Sequence, residues 1–256
     1  MNGGARVARS MGTTSAKYRS RIGSGLYAHV VDLLGQEIID GVIAPGDIVY
    51  ADQLCERLGV SRSVVREGIR TLSSMGLVEA RPQVGTRVLP QSSWDLLNPY
   101  VVKWRGEGPA YATQMKQLLE LRLGIEHAAA GLAAQRITAE NAAEILQHAL
   151  IMQQAFLDHD ARKFFEMDAS FHRLLLEGTD NAVMAQLADT IGATLDARGR
   201  DTRPGMHDIT AESVANHVRL AEALVARDVE KAQRVALALV ERTLKEFEEV
   251  SARYGV

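Results

Sequence analysis

Apolar residues recur at helical spacing from Leu26 to Gly41, through Leu26, Val30, Leu34 and Ile38. Gly41 closes the run as a residue suited to the left-handed backbone found just past many helices. Ala44-Pro45-Gly46-Asp47 reads as a tight turn with proline preset at its second position. Two short amphipathic helices follow, Ala51–Leu58 and Arg62–Met75, joined by Gly59-Val60-Ser61. Leu77–Ala80 and Thr86–Leu89 then alternate around Arg81-Pro82-Gln83-Val84-Gly85, which predicts a two-stranded hairpin. Between residues 90 and 112 the periodicity lapses. That stretch holds three of the six prolines and both tryptophans, and reads as a linker packed by Trp94, Tyr100 and Trp104. From Met115 to Tyr254 the pattern is helical nearly throughout, with Thr138, Asp160 and Asn181 as N-caps and Gly178 as a stop. The expected architecture is mostly α: a winged helix-turn-helix at the N-terminal end and an all-α bundle of six or seven helices behind it. The expected divisions are a flexible arm over 1–22, the winged helix over 23–90, a linker over 91–113 and the helical domain over 114–254.

Composition narrows the function classes. With 46% hydrophobic residues in 256, the chain is globular in character and long enough to bury a sizeable core. One cysteine, Cys55, excludes a disulfide framework and a Cys-rich zinc module. No apolar run reaches the roughly 20 residues needed to span a bilayer, so the expected location is cytoplasmic, with no membrane partner. The formal charge of −3 hides an asymmetry. Residues 1–90 carry 11 Lys+Arg against 8 Asp+Glu, and the remainder 18 against 24. A basic front and an acidic back point to nucleic acid at one end only.

The order of features in the front segment sharpens that expectation. Gly59 can make the sharp turn between the two helices, and Ser61 caps the second, presenting its first side chains outward. Arg62 and Arg66, four apart, share a face, while Val65, Ile69 and Leu72 lie opposite. An arginine-bearing helix start can reach bases and phosphates in a major groove. The hairpin, with Arg81 and Arg87 flanking its turn, suits a wing along the minor groove or the backbone.

The segment from Ile38 to Asp47, the run Leu58-Gly59-Val60-Ser61-Arg62-Ser63-Val64-Val65-Arg66-Glu67, and Gly76-Leu77-Val78-Glu79 with Gly85-Thr86-Arg87-Val88 resemble the winged-helix domain of GntR-type bacterial regulators. The helical second half is similar to the FCD ligand-sensing domain of the FadR-like branch. The resemblance implies operator contacts at Ser61, Arg62, Ser63 and Arg66, a wing contact through Arg81 and Gly85, and a homodimer on a short palindromic double-stranded DNA operator. One departure stands out. Asp52 occupies a place where many members carry arginine, and an acid there repels phosphate or reads a different base.

In the helical half, Asp168 and His172 are four apart on one helix face, a workable bidentate clip for a metal ion. His217, on a helix spanning Glu212–Leu224, can converge on them. The metal-binding FCD subset, to which this set is similar, uses an aspartate, a histidine four residues on and two further histidines. Asp168, His172 and His217 match three, and Leu239 stands at the fourth; Glu241 lies about 200° round the helix and cannot replace it. A three-ligand site would leave positions open on a divalent ion such as Zn, Ni or Mn. The competing reading makes His172 and His217 polar pocket residues that bond the effector directly. Arg122, set among apolar neighbours, needs an anionic partner. Glu126, one turn on, is one candidate. The carboxylate of an organic-acid effector is the other, and the family's effector is similarly held by an arginine here. Ser213 lies one turn before His217. The basic run Arg198-Gly-Arg200-Asp-Thr-Arg203 reads as a solvated loop or an anion-attracting one. His127, His148, His159 and His207 read as solvated.

The expected function is therefore a metabolite-responsive DNA-binding transcriptional regulator, a repressor released by a small organic acid such as a sugar acid. The alternative is a metal-dependent enzyme using Asp168, His172 and His217. No Ser-His-Asp set or P-loop supports an enzyme, and an enzyme has no need of the first 90 residues.

Overall fold

The structure, a computed structural model, describes residues 25–81, 83–200 and 209–254. The expected N-terminal arm and residues 201–208, which include Arg203 of the basic run and His207, lie outside the described residues. Helix α1 (Leu26–Ile39) buries Val30, Val31, Leu34 and Ile38, and the chain leaves it through Gly41 at φ 75°. Helices α2 (Ala51–Leu58) and α3 (Arg62–Ser74) form the helix-turn-helix around Gly59, whose φ of 64° is left-handed. Strands β2 (Val78–Arg81) and β3 (Gly85–Val88) pair antiparallel. A third strand, β1 (Ile48–Val49), joins the other edge of β3, with Ile48 opposite Arg87. Two residues are too few to show alternation, which is why only the preceding turn was legible in the sequence.

The linker is not irregular. A 3-10 turn (Gln91–Ser93) leads into α4 (Pro99–Glu107), capped by Asn98 with proline at its first turn, and α5 begins at Tyr111 (Tyr111–Arg136). Its missing periodicity has a physical cause: the helix spans only nine residues, and one of its buried positions, Val101, Val102, Trp104 and Arg105, is a charged residue. Val101 and Trp104 belong to the core of the winged helix, whereas Val102 packs with Leu118 and Ala193 of the bundle. Trp104 stands against the bare backbone of Gly35 and donates from Nε1 to Asp32 at 3.0 Å. On the other side, Thr190 Oγ1 donates to Leu97 O at 2.6 Å. Helix α4 therefore ties the two domains together.

The bundle continues with α6 (Ala139–Leu157), α7 (Ala161–Glu177), α8 (Ala182–Gln186), α9 (Ala188–Arg200), α10 (Ala211–Val225) and α11 (Val229–Tyr254). Thr138, Asp160 and Asn181 cap α6, α7 and α8 through their side chains. Gly178 ends α7 in right-handed conformation. There a Cβ would meet Leu174 O and Ile137, so close packing and not a left-handed backbone demands glycine. The core is alanine-rich where helices approach, at Ala129, Ala130, Ala133 and Ala134 of α5, and is filled by Phe164, Phe171 and Leu175 of α7. No helix among the described residues is long and apolar enough to cross a membrane.

Candidate functional site

The face of α3 opposite Val65, Ile69 and Leu72 is solvent-exposed, and it carries Arg62, Ser63 and Arg66. Ser61 accepts from Val64 N, and its hydroxyl lies 2.9 Å from that of Ser63. Arg66 makes no ion pair among the described residues. Arg70 and Arg81 are each tied to a neighbouring glutamate, Glu67 and Glu79, at 2.9 Å. Gly85, at φ 115°, sits where the wing turns into β3. Asp52 proves to be a partner of the reading helix: its Oδ1 lies 3.0 Å from Arg62 Nε, across the helix-turn-helix, with both side chains exposed. Sequence spacing alone gives no sign of that contact, because it depends on how α2 crosses α3.

The second site lies inside the bundle. A small cavity opens between α5, α7, α9, α10 and α11. Asp168, His172 and His217 converge on it, all buried, with ligand atoms within 4.8 Å of one another. Asp168 Oδ1 lies 3.2 Å from His172 Nε2 and 3.0 Å from His217 Nε2. Ligands held about 2 Å from one ion lie at about this mutual spacing. His217 Nδ1 faces the carbonyl of Ser213 at 2.8 Å and donates to it, which turns Nε2 toward Asp168. Asp168 Oδ1 and His217 Nε2 are fully buried, yet neither has a hydrogen-bond partner among the described residues. A proton on His217 Nε2, or a cation between the two groups, satisfies that contact. The donor set therefore fits a divalent ion. Leu239, 2% exposed, lines the same cavity where a fourth ligand would stand, while Glu241 points to solvent.

Behind this set is a buried charge network. Arg122 Nε donates to Glu126 Oε1 at 2.6 Å, and His172 Nδ1 lies 2.9 Å from Glu126 Oε2. Of the two partners considered for Arg122, the structure supplies Glu126. Arg122 also reaches into the cavity, where its Nη2 donates to His172 Nε2 at 3.0 Å. Burial opposes every charge here, but the pairing prevails. Against burial, Arg122 and His172 hold the Glu126 carboxyl down to about 2. The facing imidazoles likewise hold Asp168 well below the usual carboxylate range. Burial lowers the His172 imidazole, and Glu126 more than restores it, so the net direction is upward.

Arg198, expected in a solvated or anion-attracting loop, is in the last turn of α9 and lines the cavity. Its spacing carried the signal: Ile191, Thr194, Leu195 and Arg198 follow the i, i+3, i+4, i+7 rhythm of one buried face. Thr243 joins the lining by the same rule, one turn beyond Leu239. His127 and His148 are not solvated as expected. His127 Nδ1 donates to Gln233 O at 3.1 Å, and the His148 Nδ1 is buried. His159 is exposed.

Against this geometry, comparisons with known proteins are decisive. The model of the bacterial regulatory proteins, gntR family, matches residues 26–88, and that of the FCD domain matches residues 117–242. The HTH-type transcriptional regulator LutR of Bacillus subtilis (strain 168) is 33% identical over 171 residues, covering 65% of this chain and 74% of LutR. This chain belongs to the GntR family of transcriptional regulators. Within the family, it is 27% identical over 223 residues to the galactonate operon transcriptional repressor of Escherichia coli (strain K12), 87% of this chain and 96% of that protein. The solved structure of Lar, described as controlling the Listeria monocytogenes agr system, shares the fold with a TM-score of 0.61 at 18% identity. That match covers 88% of this chain and 98% of Lar. As a GntR-family protein with an FCD domain, this regulator is a metabolite-responsive DNA-binding protein. Its relatives carry the names of regulators, not of enzymes.

Proposed function

We propose that this regulator is a repressor that binds a short palindromic operator as a homodimer and releases it when a small organic acid of the sugar-acid class enters the bundle cavity. The observation that carries the reading is the convergence of Arg122, Asp168, His172 and His217 on one buried cavity in the FCD domain. The chemistry of the acid is supported by the galactonate repressor, which matches nearly end to end. Asp168, His172 and His217 would hold a divalent cation, zinc, nickel or manganese. When bound, that ion supplies open positions for a carboxylate. The chain's own groups prepare the place: the Ser213 carbonyl fixes the tautomer of His217, Glu126 orients His172, and Arg122 presents its guanidinium to the acid. On the DNA side, Ser61, Arg62, Ser63 and Arg66 read the major groove, while Arg81 and Gly85 bring the wing to the backbone. The three-ligand set serves sensing and not turnover, because a GntR winged helix is coupled to it through α4. Such a protein works in the cytoplasm, beside the chromosome.

Selection of duplexes from random DNA, followed by competition with a panel of hexonic and hydroxy acids, tests this directly. A two-fold symmetric site that is vacated in the presence of at least one acid is expected. Sequence-indifferent binding, or a complex that no acid of the panel disturbs, contradicts the reading.

A further inference from the structure

The arginines of the winged helix differ in what holds them. Arg57 gives both outer nitrogens to Glu37 of α1, at 3.0 and 2.8 Å, so its fork is closed by the domain itself. Arg70 pairs with Glu67 on its own helix and Arg81 with Glu79 on its own strand. Arg62 is held across the helix-turn-helix. Asp52, in the first turn of α2, places Oδ1 3.0 Å from Nε of Arg62, the first residue of α3. The carboxylate suits both helix starts. It answers the positive end of α2, and it offsets a cation set at the positive end of α3, whose own first turn holds no acid.

The pair contributes little to the fold. Its two side chains are 72% and 71% exposed, and ion pairs so open to solvent add almost nothing to stability. Its geometry matters for what Arg62 presents. A guanidinium is a rigid planar fork of five N–H donors, and guanine is read by a bidentate contact to O6 and N7. An unheld arginine can offer either the Nε–Nη edge or the edge formed by Nη1 and Nη2, and it reaches a phosphate equally well. With Nε engaged by Asp52, the Nη1–Nη2 edge is the one left for the groove. A carboxylate beside the guanidinium also repels phosphate, which weights Arg62 toward the base edges.

We propose that Asp52 is a specificity-determining, positioning residue of the DNA-reading surface: it sets Arg62 to read one guanine in each half of the operator and contacts no base itself. The inference rests on the reading of α3 as the recognition helix, and adds the base that is read and the residue that enforces it. Arg62 alone supplies affinity. Asp52 turns that affinity into discrimination.

Selection of duplexes from random DNA by the full chain, wild type and Arg62→Ala, locates the position: it is the one whose preference Arg62→Ala loses. Anisotropy competition then compares the four bases there in one half-site. Wild type should bind the guanine operator at least about tenfold tighter than each of the other three. Asp52→Ala should cut that ratio to within about threefold, keep the preferences at all other positions, and melt within about 2 °C of wild type. Asp52→Glu should recover part of the ratio. Asp52→Ala combined with Arg62→Ala should lose no more than Arg62→Ala alone. A base other than guanine at that position, or full guanine preference retained in Asp52→Ala, overturns the inference and leaves the recognition helix standing. So does loss of preference at a second position in Asp52→Ala, which makes the carboxylate itself a base reader. Unaltered base preference in Arg62→Ala contradicts the recognition-helix assignment and this inference with it.

Discussion

Removing Arg122 should cost the bundle far more than a surface arginine would. Its side chain is 5% exposed and that of Glu126 1%, and they meet at 2.6 Å. In Arg122→Ala the Glu126 carboxylate stays buried, with His172 as its remaining charged neighbour. Two estimates of the loss agree. Breaking one half of a buried pair typically costs about 3–5 kcal/mol. Independently, Glu126 held down to about 2 instead of 4.5 represents roughly 3 kcal/mol of stabilisation, to which Arg122 contributes most and His172 the rest. The sign follows from the direction of that shift. A carboxyl whose folded value is depressed stabilises the protein fully above its unfolded value and loses that contribution as pH falls through the folded one. The gap between wild type and Arg122→Ala should therefore be widest above about pH 5 and close toward pH 2. For a domain of this size the melting temperature at pH 7 should fall by roughly 7–14 °C. Arg122→Met combined with Glu126→Gln should recover most of it, since no charge is then stranded. Thermal and urea denaturation of the three proteins between pH 3 and 8 provide the assay. A loss under about 2 °C for Arg122→Ala, or an equal loss in the double variant, would refute the reasoning.

Four further outcomes are expected. Arg62→Ala or Arg66→Ala should each weaken operator binding by about 1–3 kcal/mol in an anisotropy titration. Asp52→Asn, which releases Arg62 from its 3.0 Å partner, should change base preference at one symmetric pair of positions in a selection experiment and leave the others unchanged. Gly35→Ala drives a Cβ to 2.5 Å from Trp104 and should destabilise the protein by about 1–3 kcal/mol, with melting as the readout. Zinc affinity, measured with a chelator dye, should fall as pH drops toward and below the His172 value. Glu126 raises that value above 6.5, and the proton competes for the ligating nitrogen.

Much of this architecture is legible in the chain because amphipathic elements announce themselves. The spacing of Val65, Ile69 and Leu72 sets the orientation of α3, and Thr138, Asp160 and Asn181 mark helix starts by chemistry that needs no partner from elsewhere. The pair Asp168 and His172 is readable for the same local reason. Helix α4 is hidden because it is short and because Arg105, a charged residue, is buried beside Val101, Val102 and Trp104. Strand β1 is hidden by its length. Contacts that depend on how helices cross are invisible by nature. Asp52 with Arg62 is one, and the Ser213 carbonyl against His217, although local, becomes meaningful only once Asp168 stands opposite. Arg198 was readable but masked by its neighbours: a run rich in arginine and glycine looks like a loop until the stripe from Ile191 is carried one turn further.

The central claim is that occupancy of the bundle cavity controls the hold on DNA through α4. It is tested most directly by titrating a fluorescent duplex bound to wild-type protein, and to His217→Gln, with the acid that binds the wild-type cavity. The account predicts equal DNA affinity for the two proteins without acid, release of the wild-type complex as the acid saturates its site, and retention of the His217→Gln complex at the same concentrations. Release of both complexes at the same acid concentration would contradict it, and so would a wild-type complex that stays intact when the acid is shown to be bound.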